Sequence, residues 1–273
     1  MTKDLESISD GLSYCRRQTA ELQRKVAQFS GANFTLEIKY TRAAPTPENP
    51  MNATEAALVT QPSVLPGLPR PPYPIFRSGE IWAQLKSEIP DDLGRDTGAI
   101  MNELRAQLDH LANILARRNG ANEDSSSWPV LSTRDNLRDA KRQTRRLSEA
   151  DQEAVLNLQP YNHRRLEVLS KLHLGDIVRK HRRPLGLRAQ AGIGVGGEGY
   201  VGVIAGHQSP LFAEPGEPRM PFYFEDVTAR LATGVDASFL DPPELRGLDT
   251  IDFLLESATA IASIVHQFSR ARG

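Results

Sequence analysis

Hydrophobic positions recur along the chain at two periods, and each change of period marks an element. Across residues 3–29, Leu5, Ile8, Leu12, Cys15, Thr19, Leu22, Val26 and Phe29 follow one another at steps of three and four, which places them on one helical stripe. Gly31 follows as a stop signal. Residues 34–42 alternate Phe34, Leu36, Ile38 and Tyr40 with polar neighbours, the period of a half-buried strand. A second alternating run over 79–88, with Ile81, Ala83 and Leu85, predicts a strand that pairs with the first. Proline concentrates between them, from Pro45 to Pro74, so 43–78 reads as a long surface loop.

The helical period then returns. Ile100, Met101, Leu104, Leu108, Leu111 and Leu115 form a stripe over 98–118, with Asp96 or Thr97 as N-cap and Gly120 as terminator. Trp128, Val130 and Leu131 are the buried anchors of an irregular crossing. A charged helix is predicted over 134–147. Ser148 and Asp151 form a capping box for a helix that ends before Pro160. A helix over 163–182 turns Leu166, Leu169, Leu172 and Ile177 inward, and Pro184 ends it. Residues 187–240 revert to short strands and Gly-rich turns. The last helix, 247–271, carries Ile251, Leu254, Ala258, Ile261, Val265 and Phe268 on one side.

These elements predict an α+β fold, a helical bundle core with small antiparallel β elements near the N-terminus and in 187–240. The boundaries are a 3–29 helix, a 34–88 β pair with its Pro-rich loop, a 98–182 helical core, a 187–240 β-rich segment and a 247–271 helix. No linker separates two complete cores, so 1–273 reads as a single domain. Its core should hold Leu104, Leu108, Leu111, Leu115, Leu169, Leu172, Leu254, Ile261 and Val265, with helices 98–118 and 247–271 in contact.

Composition narrows the class. The chain is 39% hydrophobic and 25% charged, which excludes disorder throughout, and Cys15 is its only cysteine, which excludes a disulfide scaffold. A formal net charge of −1 excludes a polycation. No apolar run reaches the roughly 18 residues of a membrane span, and the N-terminus lacks a signal-type apolar segment. A cytoplasmic location without membrane contact is expected. The charge is unevenly placed: residues 134–188 hold 14 Lys/Arg against seven Asp/Glu, while the remainder of the chain is acidic. A basic block of this kind either meets phosphates or is a solvated, internally paired face.

Few groupings carry chemistry. Gly192, Gly194 and Gly197 match GxGxxG, but the following residues favour a strand, so the motif reads as a hairpin turn rather than a dinucleotide site. The six histidines show no metal-ligand spacing, and neither metal nor cofactor is expected. On helix 98–118 the residues Asn102, Arg105, Asp109, His110, Asn113 and Arg117 lie away from the Leu stripe. The second polar group, Asp176, Lys180, His181 and Arg182, closes helix 163–182. If these helices are neighbours, the aspartates pair with arginines while two imidazoles remain. The same residues also describe a hydrogen-bonded network that fixes helix register.

The order of motifs resembles that of a large family of uncharacterised bacterial proteins. Met101–Leu115 is similar to its LRSALDHL-type helix, Trp128-Pro129-Val130 to its FPI-type segment, Gln159-Pro160-Tyr161 to its QPY turn, and Lys180-His181-Arg182 to its DKHR-type motif. Arg179 stands where that motif has Asp, and Met101 where the helix has His. The resemblance implies a shared fold in which the two polar motifs meet. Arg105 and His110 also give the pattern R-x4-H, which resembles the cleavage motif of the HEPN superfamily, many of whose members are RNases.

Two functions follow. One is an RNA-binding protein or metal-independent HEPN-like endoribonuclease. In it Arg105 and His110 are catalytic, Asn102, Asp109, Lys180, His181 and Arg182 bind, and a homodimer brings two copies of helix 98–118 together. It requires these side chains to line an open, positive cleft. The other is a non-enzymatic interaction or structural protein, its polar motifs saturated by protein partners and its 43–78 loop available to another protein.

Overall fold

The computed structural model describes residues 3–42, 77–85, 87–121, 126–181, 185–196, 211–212, 219–224 and 230–270. The stretch 43–76, which holds nearly all of the expected Pro-rich loop and its partner surface, lies outside them. The helices are α1 (Lys3–Asn33), α2 (Asp91–Arg118), α3 (Leu137–Thr144), α4 (Glu149–Asn157), α5 (Glu167–His181) and α6 (Thr250–Arg270). The strands are β1 (Phe34–Arg42), β2 (Arg77–Leu85), β3 (Leu187–Gly196), β4 (Leu211–Phe212), β5 (Arg219–Phe224) and β6 (Arg230–Phe239). The fold is α+β, a helical core with small antiparallel sheets, as the two hydrophobic periods require.

Contacts group the chain into two compact units, where the sequence reading draws one domain. The first comprises Met1–Gln28, Ile89–Arg188 and Ala237–Gly273, and the second Phe29–Glu88 and Ala189–Asp236. Because the second unit is assembled from two separate stretches, no linker composition marks the division. Its strands β1 and β2 pair antiparallel, with Phe34 opposite Leu85 and Ile38 opposite Ile81. The loop strand β5 adds to the other edge of β2, giving the order β1-β2-β5. The second sheet has the order β4-β3-β6. Gly192 and Gly194 lie within β3 rather than at a hairpin turn, and Gly197 is outside the described residues.

In the first unit α2, α5 and α6 pack on one another pairwise. Leu104, Leu108, Leu111, Leu115, Leu169, Leu172, Leu254 and Ile261 are buried, and Val265 packs at the margin of the same core. At roughly 25 cal/mol per Å² of apolar surface, such a cluster is the main favourable term of the fold. Leu5, Ile8, Leu12, Cys15, Leu22 and Val26 bury the expected stripe of α1. Gly120 ends α2 at φ +79°, a left-handed conformation that glycine adopts without strain.

Three expectations are corrected. Helix α1 runs through Gly31 to Asn33. Helix α2 begins at Asp91, not near 98, and its N-cap is Pro90 rather than Asp96 or Thr97. Asp91 and Asp92 in its first turn complement the helix dipole. Thr97 instead donates to the Leu93 carbonyl, and Asp96 accepts from Lys25. In the extra turns the stripe continues through a single large apolar residue, Leu93, and the rest of the packed face is Thr97, Gly94 and Gly98. A side chain at 94 would run into the Leu185 carbonyl, and one at 98 into the Arg179 stem. Finally, Ile177 is 41% exposed. Gly175, where the α5 backbone receives Met101, and buried Asp176 occupy the inward face near it.

Candidate functional site

Arg105 sits mid-way along α2, and its residue exposure is only 8%. Arg105 therefore does not line an open cleft. Helix α2 is covered on more than one side, with α5 and α6 against it and the segment 126–131 laid along it. All three guanidinium nitrogens are engaged. Nη1 donates to Asp109 Oδ1 at 2.8 Å, one helical turn on. Nη2 donates to the Trp128 carbonyl at 2.6 Å, and Nε makes a long contact of 3.5 Å with His173 Nδ1 on α5. Asp109 Oδ1 also accepts from the Trp128 backbone N–H at 2.8 Å. Both polar groups of the Trp128 backbone therefore close on α2. Its ring stands edge-on against Phe268, 6.0 Å between centroids.

Burial holds the His173 imidazole below its ordinary pKa of 6.5, and the Arg105 guanidinium adds to the effect. A neutral ring leaves Nδ1 free to accept, which is the role its place beside Nε requires. His110 is half-buried and makes no hydrogen bond among the described residues. Five positions after Arg105, it departs from it by about 140° around the helix. His110 is not among the partners of Arg105.

The QPY turn is a second clamp. Gln159 is fully buried; its Nε2 donates to the Val155 carbonyl and its Oε1 accepts from the Leu131 N–H. Pro160 starts a short 3-10 turn, and the Tyr161 hydroxyl reaches the Leu156 carbonyl at 3.4 Å. The Trp128 segment is thereby tied to α2 at one end and to α4 at the other.

At the end of α5, Asp176 is buried and accepts from exposed Lys180 at 2.6 Å, with Arg179 Nη2 at 3.6 Å. Lys180 is therefore ion-paired within its own helix. The His181 side chain and Arg182 lie outside the described residues. Asn102 and Arg179 line a cleft of about 330 Å³ between α1, α2 and α5, together with the Lys25–Asp96 pair and Glu103. Neither Arg105 nor His110 lines it. His173 lies within electrostatic reach of both groups: after burial, the Arg105 guanidinium and Lys180 lower its pKa while the Asp176 and Asp109 carboxylates raise it.

The sequence made the pairing of Asp109 with an arginine conditional on α2 and α5 being neighbours; they are neighbours, and Asp109 pairs with Arg105. Sequence reasoning missed His173 and the Trp128 backbone as the other partners of Arg105. His173 carried a weak signal, sharing a helix face with Asp176; a backbone carbonyl carries none. Among the described residues no group of three or more His, Cys, Asp or Glu could hold a metal ion, and no helix is long and apolar enough to cross a membrane. Comparison with protein-family models, with curated proteins and with solved structures finds no match.

Proposed function

We propose that this chain is a non-enzymatic binding protein whose Arg105, Asp109, Trp128 and Gln159 motifs hold the helical unit together. The observation that carries this reading is that each nitrogen of buried Arg105 already has a protein acceptor. A phosphate clamp needs guanidinium donors aimed at an open site. Here every nitrogen faces a protein acceptor, and burial keeps solvent away. Removing those acceptors to admit a phosphate would leave the Trp128 carbonyl unpaired, at a cost of about 1–3 kcal/mol. His110, the partner that a ribonuclease reading requires, makes no hydrogen bond with Arg105. A dimer across α2 has no unengaged Arg105 to contribute.

The test is incubation of the purified protein with single-stranded and structured RNA in EDTA. The RNA should remain intact. Cleavage that persists in EDTA and is lost in both Arg105→Ala and His110→Ala, each shown to be folded, would overturn the reading in favour of a HEPN-like nuclease.

A further inference from the structure

Helix α3 buries Ala140 and Thr144, one turn apart, and Leu147 beyond its end. The opposite face carries Arg138, Lys141, Arg142 and Arg145 at steps of three and four, all exposed. Among the described residues Arg138, Lys141 and Arg145 make no side-chain hydrogen bond or ion pair. Arg142 has a 3.5 Å contact with Asp139, and both side chains are more than half exposed. Such a pair contributes little and gives way readily to a stronger anion.

Arg134, exposed at the entry to α3, lies over the ring of Tyr161, 5.5 Å from its centroid. The contact is within cation–π range. Arg164 and Arg165 are exposed in the 3-10 turn that follows Tyr161, where Arg164 lines a cleft with Glu167, Asp249, Asp252 and Glu256, so the ridge itself carries the uncompensated charge. Between residues 134 and 165 there are eight Arg/Lys, against four exposed acids: Asp135, Asp139, Glu149 and Glu153. Asp135 is itself occupied by the Thr133 hydroxyl.

We infer that this surface binds single-stranded RNA, with Arg138, Lys141, Arg142 and Arg145 on successive phosphates and the Arg134–Tyr161 pair as a stacking platform. The inference rests on the reading of the chain as a binding protein and supplies its partner. Seven of the eight cations are arginine, whose planar fork suits phosphate oxygens and whose face stacks on bases. An aromatic ring set into a basic groove is the pairing that single-stranded nucleic acid exploits. An acidic protein would use the charge but not the platform.

The experiment measures anisotropy of a fluorescein-labelled oligouridylate of about 20 nucleotides, with poly-glutamate as the competing anion. The full chain should bind the RNA with an affinity that falls steeply with salt, and poly-glutamate should compete poorly. Replacing the four ridge cations by glutamine should weaken binding at least about tenfold and flatten the log–log salt slope by about 3, the value for four lost phosphate contacts on a single strand. All four are exposed, so circular dichroism should show an unchanged fold. A milder variant, Tyr161→Leu, should weaken RNA while leaving poly-glutamate unaffected. Absence of RNA binding, equal binding of poly-glutamate, or an unchanged slope in the quadruple variant overturns the inference. Those outcomes leave the non-enzymatic reading standing, whereas RNA cleavage removes that reading and not this surface.

Discussion

At the scale of single residues, burial decides what the polar side chains do. Cys15 lies on the inner stripe of α1, where burial and then the Glu103 carboxylate push its thiol up to about 12. The thiolate is the reactive form. Iodoacetamide at neutral pH should therefore leave the native protein unlabelled and label it on unfolding; fast labelling of the native state would contradict the packing. His173 bears on stability against pH. Its folded pKa is depressed, so the unfolded chain takes up a proton that the folded one refuses. Its contribution is complete above about pH 6.5 and is lost as pH falls from there through the lowered folded value. His173→Gln keeps an acceptor for Arg105 Nε and removes the titration. Thermal melts at about pH 7.5 and 5.5 should show a smaller acid-side loss in the variant than in the wild type. An equal loss would place the acid sensitivity elsewhere.

At the scale of elements, the stripes of α1, α2 and α6 were legible because a buried helical face must repeat every three or four residues. The capping box of α4 was legible too: Ser148 Oγ accepts from the Asp151 N–H and donates to its carboxylate. Ser148→Ala should cost about 1 kcal/mol in urea unfolding. The start of α2 was faint, since its first turns carry one large apolar residue, Leu93, and otherwise pack through Thr97 and glycines. Gly94 allows the Leu185 carbonyl to approach the α2 backbone. A methyl group there meets rigid backbone, so Gly94→Ala should destabilise by about 1–3 kcal/mol, despite alanine's better helix propensity. A neutral or stabilising result would mean that the contact relaxes freely. The polar face around Arg105 misled for a related reason. Helical spacing shows which residues share a side of α2, but what covers that side comes from Trp128 and His173, 23 and 68 positions away.

At the scale of the whole molecule, motif order and charge segregation were visible in the sequence, and their separate uses were not. Arg105, Asp109, Trp128 and Gln159 belong to three separate stretches of the sequence that are tied together inside the helical unit. A ridge of exposed cations lies elsewhere, on α3. An interior arginine that organises the fold and exterior arginines that meet a partner make different demands on stability and binding. Replacing Arg105 removes the buried ion-pair partner of Asp109 and leaves the Trp128 carbonyl without its donor. The most direct test is the thermal unfolding midpoint of Arg105→Met, which keeps much of the side-chain volume. The expected loss is about 2–3 kcal/mol, a fall of roughly 4–5 °C for a chain of this size. An unchanged midpoint would contradict the account, because it would show that Arg105 is not held by the network that its geometry describes.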